Sequence, residues 1–437
     1  MKKPEFFSMI QNRKKLLTKE QVINDVIAGS VVAIIALPLS IAIGISSGVS
    51  PEKGLLTAIL ASLCVSIFGG SRVQIGGPTG GFVVIVYGVI QKYGFTGLII
   101  STLMAGFILI ILGLFRLGNL IRFIPKSIIL GFTAGIGVVL FSAQIQEFFG
   151  LRTGKLPVSF FGKWNLYILS FKTASITTLI LGLISILIII TFPKVNRIIP
   201  SYLIALIVVT LIVKFMNINV DTIGSSFGHI SSSIPMPELP AFGTINIKNL
   251  ILPSITIAFL GYIQALLTAV VSDDMIGEKH SSNTELISQG IANIVSSLFG
   301  GIPATGAIAR TTASIKNGGR TPLAGLVHAG ILLFILLICV PLLQYVPLTV
   351  LAAILIVVSY NMGNFSDCIK LIKEDKASGF ELILTLILTV CVNLVIAIAI
   401  AMIVHLIRVK IINNKIHTNR IKIRNKKNWD CIILKLR

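Results

Sequence analysis

The chain has 437 residues, of which 54% are hydrophobic and only 12% are charged, and its formal net charge at pH 7 is +21. A soluble domain carries about 25% charged residues, so this composition excludes an ordinary soluble protein. Apolar runs of about 20 residues, long enough to cross a bilayer as helices, recur along nearly the whole chain, whereas an outer-membrane barrel would show short alternating strands.

The positive charge is concentrated at the two ends of the chain. Residues 1–21 form a basic tail before the first apolar run, and residues 411–437 form another after the last one. The positive-inside rule predicts that both tails are cytoplasmic, in a cell inner or plasma membrane, which requires an even number of spans. No nucleic-acid-binding motif accompanies the tails, so we expect no nucleic-acid partner.

The apolar runs predict fourteen membrane spans, which is an even number. Their approximate limits are 22–44, 53–69, 79–92, 95–115, 126–145, 174–192, 201–216, 249–272, 284–299, 304–316, 321–340, 347–361, 378–393 and 394–410. Segments 22–216 and 249–410 hold seven spans each, and the polar segment 217–248 is predicted to be an extracytoplasmic linker. Several basic residues within 147–172 fall on the predicted outer side, so the agreement with the positive-inside rule is imperfect.

Spans three and ten are short, and each follows a Gly/Pro segment: GGPTGG at 76–81 and GGIPATG at 300–306. Two such segments in corresponding positions of two halves indicate a transporter binding site. Since each half has an odd number of spans, the second half is inverted, and the two broken helices approach the midplane from opposite sides. Facing helix N-termini would form an anion site, because each offers unpaired N–H groups and partial positive charge. The alternative is that both segments are packing kinks, which Gly and Pro often form in membrane helices.

The residues around these motifs resemble the sulfate permease (SulP) family of anion transporters over almost the whole chain. The resemblance rests on GNLIRFIPKSIILGFTAG at 118–135, on the segment 76–82, and above all on the run 278–325. It implies an all-α integral membrane protein with 14 transmembrane segments in two inverted seven-span repeats, divided into core and gate domains. The implied substrate-binding residues are Pro38, Ser40, Thr79, Gly80, Gly81, Phe82, Gln264, Thr268, Ala304, Thr305, Gly306 and Arg310.

Two features depart from the family pattern. Bacterial members commonly carry an acidic residue on the eighth span, where this chain has Gln264. An amide cannot titrate and is a weak sodium ligand, so coupling to Na⁺ or H⁺ is in doubt, and we expect no other cofactor. Family members usually continue into a cytoplasmic STAS domain, whereas residues 411–437 hold at most its start. Dimerisation through that domain cannot be assumed, so a homodimer stays open.

Other motifs are less informative. Arg310 follows the second Gly/Pro segment by under two turns, and it could add positive potential to the site or reach the cytoplasmic surface. Residues Ser282 to Glu285 match a capping box at the start of span nine. The five cysteines have no disulfide or zinc spacing. No catalytic motif is present, so we do not expect an enzyme.

The predicted function is secondary transport of a small inorganic anion by alternating access. Sulfate, bicarbonate and chloride all suit two helix dipoles, and the sequence does not choose among them. A nucleobase-type symporter of the same architecture would need acidic side chains, which Gln264 argues against. An uncoupled anion channel is the alternative from another class. The expected partners are the anion and the membrane lipid.

Overall fold

The structure is a computed structural model that describes residues 3–11, 18–154, 156–196, 199–228, 232–240, 243, 245–392 and 396–410. The predicted C-terminal tail 411–437, including the expected start of a STAS domain, lies outside the described residues, as do parts of the N-terminal tail.

Helices account for most of the described residues, because the sequence consists of long apolar runs separated by glycine, proline and polar residues. The first half contains α1 (Glu5–Gln11), α2 (Lys19–Ser46), α3 (Pro51–Phe68), α4 (Val83–Leu114), α5 (Lys126–Phe149), α6 (Phe160–Ser170), α7 (Ile176–Val195), α8 (Ser201–Phe215) and α9 (Ile223–Phe227). The second half contains α10 (Ile251–Ile276), α11 (Ser282–Leu298), α12 (Ile308–Lys316), α13 (Leu323–Ile338), α14 (Val340–Leu343), α15 (Leu348–Gly363), α16 (Phe365–Glu374) and α17 (Lys376–Cys391), followed by helical residues 396–410.

Each of the fourteen predicted apolar runs overlaps a helix of the described residues, although the run 304–316 begins with a short strand at Thr305–Gly306. Predicted spans three and four are joined in α4, which bends at Gly94, where φ is +68°. Seven helices of the described residues are long and apolar enough to cross a membrane, and α8 and α13 are shorter apolar helices. On α7 the exposed and buried side chains lie on opposite faces, with Leu183, Leu187 and Ile190 exposed and Leu181, Ser185 and Ile189 buried. An exposed apolar face of this kind is what a helix bordering lipid presents.

The chain divides into two compact units. Among the described residues, the larger unit lies within 3–123 and 136–363, and the smaller lies within 124–135 and 364–410. In the larger unit, α2 and α3 approach so closely that a Cβ added at Gly54 would lie 2.1 Å from the carbonyl oxygen of Ser40. In the smaller unit, the buried carboxylate of Glu381 accepts a hydrogen bond of 2.7 Å from Ser127 and one of 3.1 Å from Arg408.

Some local predictions differ from the structure. The helices α1, α6 and α16 fall in segments predicted as a tail or as connections, because they mix polar and apolar residues over short lengths. The capping box predicted at Ser282 is wrong, since the N-cap of α11 is Ser281 and makes no side-chain capping bond. The carboxylate of Glu285 is fully buried and accepts instead from the backbone N–H groups of Gly70, at 2.9 Å, and Ser71, at 3.1 Å. A local pattern cannot show that N–H groups more than 200 residues away compete for the same side chain.

The two Gly/Pro segments contain the short strands of the structure. β1 (Gly76–Gly77) pairs antiparallel with β2 (Thr305–Gly306), with Gly76 opposite Gly306 and Gly77 opposite Thr305. This pairing joins the first half of the chain to the second inside the larger unit.

Candidate functional site

The structure brings the two predicted helix breaks into direct contact. Beyond the β1–β2 pairing, the backbone N–H of Ala307 donates to the carbonyl of Ile75 at 2.9 Å, which extends the ladder. Paired strands lie about 5 Å apart. The chain then turns from β1 through Pro78 and Thr79 into a 3₁₀ turn at Gly80–Phe82 that leads into α4, while β2 leads directly into α12. The starts of two helices therefore lie side by side.

Neither of these helix starts is capped by a side chain. Thr79 occupies the N-cap position of the Gly80–Phe82 turn, yet its hydroxyl donates to Oε1 of Gln264 at 2.7 Å and makes no capping bond. Ala307 occupies the N-cap position of α12 and has no polar side chain to offer. The first N–H groups of a helix have no partner within the helix, so each uncapped start has positive potential.

Arg310, on the first turns of α12, is fully buried beside the paired strands. Its Nη2 donates to the hydroxyl of Ser40 at 3.0 Å and to the carbonyl of Pro78 at 3.3 Å, and its Nη1 lies 3.5 Å from the carbonyl oxygen of Gly76. Its Nε has no hydrogen-bond partner, and no carboxylate of the described residues forms an ion pair with it. The interpretation that Arg310 reaches the surface is therefore wrong, and its charge stays at the site.

One face of α10 contacts both breaks. The hydroxyl of Thr268 shares its proton between the carbonyl of Gln264 in its own helix, at 2.7 Å, and the carbonyl of Gly306, at 3.0 Å. The hydroxyl of Thr305 donates to the carbonyl of Gly261 at 3.1 Å. A Cβ added at Gly81 would lie 2.0 Å from Nε2 of Gln264, so a larger residue at this position would displace the Gln264 side chain. The ring of the buried Phe82 lies against Gly261.

The remaining predicted residues lie around this centre. Ser40 and Pro38 are buried on α2, and Ser40 connects to the site through Arg310. Gly80 is covered by Leu140 of α5, whose Cδ2 would lie 2.6 Å from an added Cβ. Ala304 is buried directly before β2.

Sequence reasoning missed the side chains that hold the second break in place. Nδ2 of Asn293 donates to the carbonyl of Ala304 at 2.8 Å, while Oδ1 accepts from the N–H of the same residue at 3.0 Å. The hydroxyl of Ser296 donates to the carbonyl of Ile302, and that of Thr57 accepts from the N–H of Ile302, both at 2.8 Å. The available signal was the set of polar residues at helical spacing on α11, which is unusual in so apolar a chain.

Comparison with known proteins identifies the family. The sequence profile of the sulfate permease family matches residues 22–388. The chain belongs to this family. The Bacillus subtilis (strain 168) protein named "Putative sulfate transporter YvdB" is 42% identical over 373 residues, which cover 85% of this chain and 70% of that protein. The bicarbonate transporter BicA of Picosynechococcus sp. is 34% identical over 381 residues, which cover 85% of this chain and 67% of that protein.

Solved structures show the same fold as this sulfate permease family member. The transmembrane domain of a cyanobacterium bicarbonate transporter BicA aligns with a TM-score of 0.77 and 30% identity, covering 87% of this chain and 96% of that one. The overall structure of SLC26A9 aligns with a TM-score of 0.80 at 18% identity, which shows the fold alone. The predicted membership is thus confirmed: the chain is a multi-pass membrane transporter of an anion-transporting family, and it is not an enzyme.

Proposed function

We propose that the chain is a secondary transporter that carries a small inorganic anion of the sulfate, bicarbonate or chloride class by alternating access. The anion is held between the start of the Gly80–Phe82 turn and the start of α12. The observation that carries this proposal is the pairing of β1 with β2, which brings two uncapped helix starts together beside Arg310. The named functions of BicA and YvdB support the same class of cargo.

Electrostatics favour an anion at this position over a neutral or cationic solute. Each helix N-terminus is equivalent to about half a positive charge, and Arg310 adds a full one. A buried guanidinium without a carboxylate partner is costly in an apolar interior, and an anion nearby would offset that cost. Backbone N–H groups at a helix start bind phosphate, sulfate and carboxylate in the same way.

We also propose the fourteen-span architecture of two inverted repeats, with both termini in the cytoplasm of an inner or plasma membrane. Two observations support it: each of the fourteen apolar runs overlaps a helix of the described residues, and β1 and β2 run antiparallel, as segments entering the membrane from opposite sides would. The core and gate domains would then move against each other to expose the site alternately.

A charge placed on β2 tests the proposal. Thr305 is fully buried in the ladder, so Thr305→Asp puts a carboxylate between the two helix starts. We expect it to abolish uptake of radiolabelled sulfate, bicarbonate and chloride into proteoliposomes, because the negative charge neutralises the site and repels the anion.

Two controls separate charge from disruption. Thr305→Asn has nearly the same size without the charge, and should keep most of the uptake. Thr312→Asp adds the same charge further along α12, where the Thr312 hydroxyl bonds only to the carbonyl of Ala309 within its own helix. Undiminished uptake in a well-folded Thr305→Asp protein would refute the proposed site.

A further inference from the structure

Helix α6 presents three polar side chains that the proposed transport site does not use. It lies in segment 147–172, whose basic residues did not fit the predicted topology. Lys163 and Tyr167 are one turn apart on the same face, and they are 4% and 2% exposed respectively. Trp164 lies beside them, with its ring 6.1 Å from the ring of Tyr167.

Two of these side chains are buried donors without acceptors, and the third, Lys163, has an aromatic ring but no carboxylate beside its ammonium. The hydroxyl of Tyr167 and Nε1 of Trp164 are buried and have no hydrogen-bond partner in the described residues. The Lys163 ammonium has no ion-pair partner there either, and lies 5.4 Å from the ring of Tyr87. An ammonium and an indole N–H can only donate, so an anion is the natural missing partner.

The position of α6 relates this cluster to the transport site. Tyr87 is seven residues after Gly80 in the chain, which corresponds to about 10 Å along the helix axis. The hydroxyl of Tyr87 donates to the carbonyl of Leu156 at 3.1 Å, just before α6. Gly48, two residues beyond the end of α2, also packs on the Tyr87 ring, and Leu140 packs against Gly80. The cluster therefore lies along α4, beyond the helix start, on the side towards which α2 ends.

We propose that Lys163, Trp164 and Tyr167 form a second binding position for the same small inorganic anions, on the route between the paired helix starts and the membrane face that carries the α5–α7 connection. The inference rests on the proposed transport function and adds an access site to it. The ammonium attracts the anion, and the indole N–H and the phenol hydroxyl donate to it. The anion then passes to the helix starts when Leu140 moves away from Gly80.

The surroundings of Lys163 favour a ligand over an internal partner. Burial lowers the pKa of the Lys163 ammonium, and an anion bound against it would offset that effect. Glu147 lies within electrostatic range of Tyr167 but forms no ion pair with Lys163. A cation in low-dielectric surroundings raises the local concentration of anions, and a transporter with such a cation on its access route would have a lower apparent KM.

The proposed position can be tested by expressing the protein in cells that have no sulfate or bicarbonate uptake of their own. The initial rates at which these intact cells take up radiolabelled sulfate and bicarbonate are then measured. We expect Lys163→Gln to raise the apparent KM about fivefold to tenfold, with the maximal rate within about twofold of the unchanged protein, and to flatten the dependence of KM on potassium gluconate concentration. Lys163→Arg should restore KM. Tyr167→Phe removes only an unpaired hydroxyl, so it should raise KM about twofold without lowering the unfolding midpoint of the purified protein.

Lys172→Gln is the matched control, because Lys172 is exposed on the same connection. It should leave KM unchanged. If the unchanged protein takes up no anion, the proposed function and this inference fall together. If it transports normally and Lys163→Gln keeps the same KM, the inference alone is overturned. A lower maximal rate or a lower unfolding midpoint at constant KM would likewise overturn it, by assigning Lys163 a structural role.

Discussion

At the scale of single residues, Arg310 supplies the candidate site with a fixed positive charge. Because this residue is buried, we expect its replacement to have a large effect on anion binding. Arg310→Gln keeps a hydrogen-bonding group but removes the cation. We expect anion binding to weaken by about 2 to 5 kcal/mol, the range seen when one partner of a desolvated charge pair is removed. Sulfate should raise the unfolding midpoint of the unchanged protein, because a ligand that binds only the native state stabilises it, and this effect should be lost in the variant.

The stability of the empty Arg310→Gln protein separates this role from a structural one. Removing a buried cation that lacks a carboxylate partner also removes its desolvation cost, so the midpoint without sulfate should not fall by more than a few degrees. Arg310→Lys keeps the charge without the fork of donors that reaches both Ser40 and Pro78, and should retain part of the effect. A normal sulfate-dependent shift in Arg310→Gln would mean that the guanidinium does not act on the anion.

The location of single residues near the site was predictable where the residue type itself indicates hydrogen bonding to an anion or to the backbone. Thr79, Gln264 and Thr305 were predicted near the breaks, and the structure brings them together by direct hydrogen bonds or pairing. The roles of Leu140 and Asn293 were not predictable. Leu140 packs against Gly80 and Asn293 bonds to the backbone of Ala304, and neither contact leaves a pattern in the local sequence. The Ser282 capping box failed for the same reason, since Glu285 is used across the fold.

At the scale of elements, the second Gly/Pro segment is held in place by a side-chain amide. This amide bonds to both the N–H and the carbonyl of one residue, as the backbone of a neighbouring strand would. Asn293 pairs with both the N–H and the carbonyl of Ala304 and is 1% exposed. Asn293→Leu leaves both backbone groups unpaired in the interior. We expect the unfolding free energy to fall by about 1 to 3 kcal/mol for each unpaired group. Uptake should fall further than stability alone explains, because Ala304 directly precedes β2.

The matched control for this loss is Asn317→Leu. Asn317 is exposed at the C-cap of α12, and its side chain bonds only to the carbonyl of Ala313 in the last turn of that helix. Its replacement should change stability by about 0.5 kcal/mol or less. Chemical denaturation of both purified variants would compare them directly, and equal losses would show that the Asn293 amide does not position β2.

Elements followed the sequence where a continuous apolar run decides the structure. Helices α2, α3, α7 and α8 each begin and end within a few residues of the predicted limits. Helices α6 and α16 were missed, because short amphipathic helices depend on what they pack against. The β1–β2 pairing was also beyond local reasoning: both segments were recognised as breaks, but two-residue strands whose paired residues are 228 and 230 positions apart have no periodicity to detect.

At the scale of the whole molecule, a transporter must couple its movement to an energy source. Among the described residues, no acidic side chain forms a hydrogen bond with the residues of the candidate site. Oε1 of Gln264 accepts from Thr79, and its Nε2 lies against Gly81. An uncharged amide at this position does not neutralise the positive potential of the helix starts, as a carboxylate would, so that potential acts on the anion. Uptake should therefore run down the anion gradient or by exchange, rather than with a cation.

Gln264→Glu should convert the transporter to a cation-dependent one. A carboxylate at this position keeps the acceptor for the Thr79 hydroxyl, but its charge opposes the anion until a proton or Na⁺ neutralises it. In proteoliposomes with a clamped membrane potential, we expect uptake by the unchanged protein to vary by less than about twofold when a Na⁺ or proton gradient is imposed, whereas the variant should require one. Gln91→Glu makes the same charge change at an exposed position and should behave as the unchanged protein does. A strong Na⁺ or proton requirement in the unchanged protein would contradict this prediction. It would mean that a residue elsewhere in the chain couples transport to the cation, and that the charge of the helix starts and Arg310 is not sufficient for anion transport.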